Sequence, residues 1–185
     1  MKDLQREDIE LLLRELGSEL AKTFDKPVQI LLIGGAYMIL TLHNRATTQD
    51  VDIYPLNIPD STRPNQQTRL FLTAVRQIAR NHGLPRKWLN DVSFNLLGGL
   101  SPQTMELWVT YGMLQIYRPP EDFILALKLF ADRPKDRPDI EALLRDLDIT
   151  TREQAQAVLD RYIEDRFQQE YRVYLTLETW FPTNL

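Results

Sequence analysis

The stretch from Ile30 to Tyr54, ILLIGGAYMILTLHNRATTQDVDIY, restricts the fold more than any other part of the chain. Val28 to Ile33 is an apolar, β-branched run bounded by Pro27 and Gly34, which predicts a buried strand. Gly34 and Gly35 lack a Cβ, so the backbone can turn sharply there and a ligand can approach the main chain. A short helix is predicted to start at that turn, followed by a second strand carrying Asp50 and Asp52. Alternate side chains on a strand share a face, so the two aspartates are expected on one side, with Val51 and Ile53 turned to the core.

These parts have a chemistry in common. Two close carboxylates repel each other unless a cation lies between them. Mg²⁺ favours one or two carboxylates together with the phosphate oxygens of a substrate. The start of a helix offers N–H groups and the positive end of its dipole to a phosphate. A lone Asp-x-Asp or a lone Gly-Gly is ordinarily a solvated strand end or a plain turn. Here both occur in strand–turn–helix–strand order, with Arg45 and Thr47 just ahead of the aspartates.

On these residues, GGAY followed by RATTQDVD, the segment resembles the DNA polymerase β-like nucleotidyltransferase superfamily. It looks most like the minimal bacterial branch that includes the abortive-infection nucleotidyltransferase toxins, and within it a domain-of-unknown-function group. HGLPRKWLND, from His82 to Asp91, and LALKLFADRPKDRPDIEALL, from Leu125 to Leu144, extend the likeness over about residues 28 to 150. The resemblance implies an α+β fold with a small mixed β-sheet core packed with helices and a C-terminal helical part. It implies a Mg²⁺- or Mn²⁺-dependent enzyme, with Asp50 and Asp52 as metal ligands and catalytic carboxylates. Gly34, Gly35, Arg45 and Thr47 would hold a nucleoside triphosphate, whose nucleoside monophosphate passes to an acceptor hydroxyl on RNA, tRNA or protein. A toxin–antitoxin or phage-defence role, with a cognate toxin or antitoxin partner, follows from the same likeness.

A second cluster, LKLFADRPKDRPD, places Lys128 on a helix otherwise filled by leucines and Phe130, ahead of a loop with Arg133, Lys135, Asp136 and Asp139. A lysine in such company is commonly a snorkelling surface residue. The resemblance implies instead that the block faces the nucleotide. Lys128 and Lys135 would then contact triphosphate oxygens, and Asp136 would orient a lysine or take the acceptor's proton. The alternative is a salt-bridged helix–loop–helix corner whose turn is fixed by Pro134 and Pro138. The family pattern also places a third carboxylate on a later strand. The candidate here, MLQIYRP, carries Gln115 at that place. Without a third acid, base assistance to the attacking hydroxyl weakens and a second metal loses a ligand. A catalytically inactive nucleotide- or partner-binding module on the same fold is therefore the alternative reading. A structural or interaction protein with an exposed aspartate pair is a third.

The remaining features set limits. At 185 residues, one core is expected: a nucleotidyltransferase-like core with its N-terminal helix over 1–118, and a helical region packed on it over 119–185. No apolar run approaches a membrane span and the N-terminus lacks a signal-peptide pattern, so a cytoplasmic protein without membrane contact is expected. Absence of cysteine excludes disulfides, thiol catalysis and thiolate metal sites, and two histidines make a zinc hydrolase centre a poor fit. Net charge is −4, without one long basic stripe. Arg69, Arg76, Arg80, Arg86 and Lys87 nonetheless cluster, either as a solvated helix face or as a contact surface for an acceptor such as RNA. Helices are predicted over about Arg6–Thr23, Gln67–Asn81, Lys87–Leu96, Pro119–Ala131, Asp136–Leu147 and Thr151–Asp165, with a hairpin around Tyr111-Gly112. The aromatic tail from Arg166 reads as a packed closing segment or as a homodimer contact.

Overall fold

The computed structural model describes residues 3–92 and 102–182. They divide into two compact units: residues 3–92 with Glu106–Arg118, and residues 102–105 with 119–182.

The first unit is built on a five-stranded mixed sheet in the order β3-β2-β1-β5-β4. Its strands are β1 (Val28–Ile33), β2 (Val51–Pro55), β3 (Leu89–Asp91), β4 (Glu106–Tyr111) and β5 (Leu114–Arg118). β1 runs antiparallel to β2 and parallel to β5, β2 is parallel to β3, and β4–β5 is the expected hairpin. The C-terminal end of β1 therefore meets the N-terminal end of β2, and β3 starts at that same end. Alternation sorts the side chains. Val28, Ile30, Leu32, Val51, Ile53, Leu89, Leu114 and Ile116 are buried on one face, which Asp91 and Tyr111 join at its two edges. The polar residues Gln29, Asp52, Tyr54, Asn90, Gln115 and Tyr117 share the other face with Leu31 and Ile33.

Two long helices complete this unit, α1 (Arg6–Leu20) and α3 (Gln66–His82), which pack on each other. Both are amphipathic. α1 buries Ile9, Leu12, Leu13, Leu16 and Leu20, and α3 buries Phe71, Ala74, Val75, Ile78 and Ala79. The Asn65 side chain caps α3 by accepting from the Thr68 amide at 2.9 Å. Between β1 and β2 lies a short helical stretch, α2 (Gly34–Tyr37), which widens into a π-helical segment (Met38–Leu42) and stops at His43 in a left-handed conformation, φ 56°.

Lys87–Leu96 reads as a short helix from sequence, yet Leu89–Asp91 is a strand and residues 93–96 lie outside the described ones. Backbone pairing decides: Val51 donates to the Trp88 carbonyl at 2.7 Å and Val92 to the Ile53 carbonyl at 2.8 Å. The open edge of β2 thus offers Leu89–Asp91 ladder bonds that a three-residue helical preference cannot match.

The second unit is helical: α4 (Glu121–Ala131), α5 (Arg137–Asp146), α6 (Arg152–Tyr162), α7 (Asp165–Glu170) and α8 (Val173–Trp180). α4 packs against α5, α6 and α8. Phe123 meets Tyr162 edge-on at 5.2 Å, and the Tyr162 hydroxyl donates to Asp122 at 2.9 Å. Thr151 and Gln154 form the expected capping box at the start of α6, with the Thr151 amide donating to Gln154 Oε1 at 3.0 Å. The helix expected to reach Asp165 stops at Tyr162, because Ile163 is extended (φ −117°, ψ 119°), and α7 starts afresh two residues on. Among the described residues no helix is long and apolar enough to cross a membrane.

Candidate active site

The sheet end where β1 stops and β2 and β3 begin collects the polar groups of the first unit. Ile33 is the cross-strand partner of Asp52, so the chain turns at Gly34 directly beside that aspartate. Gly34 has φ +66°, and a Cβ built on it would stand 2.6 Å from Asp52 Oδ2. Both facts require glycine: the backbone lies in the left-handed region and the carboxylate fills the space of a side chain. Gly35 is crowded likewise. Its Cβ would stand 2.5 Å from Thr48 Oγ1 and 3.4 Å from a terminal guanidinium nitrogen of Arg45. The Gly-Gly turn is thus a cradle with a carboxylate on one side and a hydroxyl and a guanidinium on the other.

The loop leading into β2 is pinned in place. Thr48 is buried and exchanges two backbone hydrogen bonds with Leu4, at 2.7 and 3.0 Å. Arg45 Nε donates to the Thr47 carbonyl at 2.8 Å, which curls the side chain back towards Gly35. Thr47 acts through its main chain in this arrangement.

Asp50 stands just before β2 and Asp52 within it, both half-buried. One group touches both. Asn90, the β3 partner of Asp52, donates from Nδ2 to Asp50 Oδ2 at 3.0 Å and reaches Asp52 Oδ1 at 3.4 Å. The two carboxylates therefore converge on a single amide nitrogen, which offsets part of their mutual repulsion. Sequence reading missed Asn90 as a member of the site. It lies in the HGLPRKWLND block, where the misread helix gave it no face in common with the aspartates. Gln115 is elsewhere: it sits on β5, across β1 from β2, and accepts from Gln29 Nε2 at 2.9 Å.

The donor set suits a hard divalent cation, since one or two carboxylates together with substrate phosphate oxygens are what Mg²⁺ or Mn²⁺ commonly takes. Among the described residues no group of three or more His, Cys, Asp or Glu gathers to hold a metal, so the fit rests on the aspartate pair.

The second sequence cluster lies in the helical unit. Lys128 is 3 % exposed and its ammonium donates to Asp136 at 3.0 Å and to Asp139 at 2.7 Å, both carboxylates being buried as well. Arg133 Nε closes the cluster on Asp136 Oδ2 at 2.6 Å. Burial alone would raise the Asp136 carboxyl. The Lys128 ammonium and the hydrogen bonds from Lys128 and Arg133 outweigh it and hold the group below the ordinary carboxylate value. Lys135 is exposed on the turn between α4 and α5. The predicted site residues thus fall into two sets: Gly34, Gly35, Arg45, Thr47, Asp50 and Asp52 in the first unit, and Lys128, Lys135 and Asp136 in the second.

No protein-family model, curated protein or solved structure matches this chain.

Proposed function

We propose that the protein is a divalent-cation-dependent nucleotidyltransferase, moving a nucleoside monophosphate from a nucleoside triphosphate to an acceptor hydroxyl. The observation that carries this reading is the close approach of the Asp52 carboxylate to Gly34, 2.6 Å from the place a Cβ would take. It puts a carboxylate able to take a cation directly against the glycine backbone at a helix start, the kind of place where a polyphosphate would meet main-chain N–H groups. Asp50 and Asp52 would hold Mg²⁺ or Mn²⁺, which when bound neutralises triphosphate charge. Gly34 and Gly35 would let the phosphates reach main-chain N–H groups, and Arg45 would supply a guanidinium at the same turn. As the acceptor oxygen bonds to the α-phosphorus its proton passes to solvent, the bond to the β-phosphate oxygen breaks, and pyrophosphate leaves. Asn90 would keep the two carboxylates aligned. A toxin–antitoxin or phage-defence setting is a part of this proposal that rests on the resemblance, and a cytoplasmic location is a part that rests on the sequence reading.

One observation favours a second reading. The group that reaches both aspartates is the Asn90 amide, a donor that can neither act as a base nor add a charged ligand. A nucleotide-binding module without transfer activity fits that arrangement. Incubation with each labelled nucleoside triphosphate, Mg²⁺ or Mn²⁺ and total RNA or lysate separates the two readings, with Asp52→Asn as control. Label transferred by the natural chain and not by Asp52→Asn supports the transferase. Cation-dependent nucleotide binding without transfer supports the module, and neither one contradicts both.

A further inference from the structure

We infer that the exposed face of α3, continued by the turn at Arg86 and Lys87, is a docking surface for a nucleic-acid strand. Between Asp60 and Asp91 there is no acidic residue at all, while Arg63, Arg69, Arg76, Arg80, Arg86 and Lys87 fall in this interval of an otherwise acidic chain. All six are exposed. Arg69, Arg76 and Arg80 stand at i, i+7 and i+11, which puts them on one line along the helix, with Thr73 and Gln77 between them. The opposite side of α3 carries Phe71, Ala74, Val75, Ile78 and Ala79, all in the core.

Clustering, together with the lack of ion pairs, marks this face: Lys26, Lys135, Arg137 and Arg172 are also without an ion pair among the described residues but are scattered, whereas most other basic groups are paired. Arg118, Arg133, Arg152 and Arg161 each stand against a carboxylate, as does Lys128. Arg63, Arg69, Arg76, Arg86 and Lys87 have no ion-pair partner among the described residues, and Arg80 bonds only to the neutral Gln77. Unneutralised guanidinium groups in a row generate a positive potential that a polyanion would neutralise, releasing counterions as it binds. Five of the six are arginines, whose planar forks match phosphate oxygens. The row spans about 16 Å, the rise of about five nucleotides of one strand. A membrane surface is the poorer fit, because an interfacial helix needs an apolar face for lipid and that of α3 is already in the core.

The placement also relates to the aspartates. α3 ends at His82, and the chain passes through Arg86 and Lys87 straight into β3, three residues before Asn90. The basic row thus leads to the sheet end that holds Asp50 and Asp52. This surface gives the proposed transferase a nucleic-acid acceptor and rests on that reading for the acceptor role alone.

The test is fluorescence anisotropy of the full chain with a labelled single-stranded RNA oligonucleotide, without nucleotide or divalent cation, so that its outcome is independent of transfer. Arg69→Glu/Arg76→Glu/Arg80→Glu is compared with Arg145→Glu/Arg152→Glu/Arg166→Glu, which changes net charge equally on other helices. Circular dichroism checks that both remain folded. A milder Arg69→Gln/Arg76→Gln/Arg80→Gln variant replaces the first if it unfolds. The expected result is at least about tenfold weaker binding for the α3 variant and a salt dependence shallower by about two logarithmic units per decade, with the control close to the natural chain. Equal losses in both variants, no RNA binding by the natural chain, or tighter binding to phosphatidylserine vesicles than to RNA would overturn the inference.

Discussion

Gly34 and Asp52 occupy each other's space: the carboxylate oxygen lies 2.6 Å from where a Cβ on the glycine would be. Alanine at position 34 must both hold φ near +66° and push Asp52 aside. The backbone term alone costs about 1–2 kcal/mol. Gly34→Ala is expected to lower the denaturant midpoint modestly and to abolish cation-dependent nucleotide binding. Unchanged nucleotide affinity in a folded Gly34→Ala protein would mean that Asp52 need not face the turn.

The Asn90 side chain bonds to both site aspartates. In Asn90→Ala the two carboxylates lose their shared donor, and in Asn90→Asp a third carboxylate joins them. Both variants should melt at lower temperature than the natural chain in chelator. Mn²⁺ should restore Asn90→Asp by more than it raises the natural chain, because the cation binds the folded, three-carboxylate form preferentially. Equal thermal shifts with Mn²⁺ in all three proteins would place the cation elsewhere.

Lys128 is buried between Asp136 and Asp139, so removing its charge strands two carboxylates. Lys128→Met is expected to cost about 3–5 kcal/mol of stability, as measured by urea unfolding. Lys128→Met/Asp136→Asn/Asp139→Asn, which removes the charges together, should cost markedly less. Similar losses in the two proteins would show that packing, not charge, fixes this corner.

The same cluster sets a pH dependence. The folded-state Asp136 carboxyl is held below its ordinary value, so it binds its proton less readily than in the unfolded chain, whose value is about 3.9. Its contribution is complete above that value and is lost as pH falls through it towards the folded-state value. Urea midpoints followed from pH 6 down to pH 3 should fall more steeply for the natural chain than for Asp136→Asn. Parallel curves would contradict the shift.

Elements set by local signals are legible in the amino-acid order. Val28–Ile33 is bracketed by Pro27 and Gly34, and the strand occupies those residues. The α4 start after Pro119-Pro120 and the Thr151 capping box are local signals and fall where they should. What escaped depended on partners far along the chain. Leu89–Asp91 is a strand only because β2 offers a free edge, and that pairing is what sets Asn90 beside Asp50 and Asp52. The break at Ile163 was hidden for a similar reason, since no Gly or Pro marks it. Lys128 illustrates the opposite case. Its leucine-rich neighbourhood was visible, but which carboxylates receive the ammonium is decided by how α4, the turn at Pro134 and α5 fold together.

The proposed chemistry requires Asp50 and Asp52 to hold a cation and its polyphosphate against the Gly34–Gly35 turn. Its most direct test is equilibrium binding of a labelled nucleoside triphosphate to the natural chain and to Asp52→Asn, each with Mn²⁺ and with chelator. Saturable binding that needs Mn²⁺ and disappears in a folded Asp52→Asn protein is the expected result. Binding that is unaffected by chelator, or as tight in Asp52→Asn as in the natural chain, would contradict the claim.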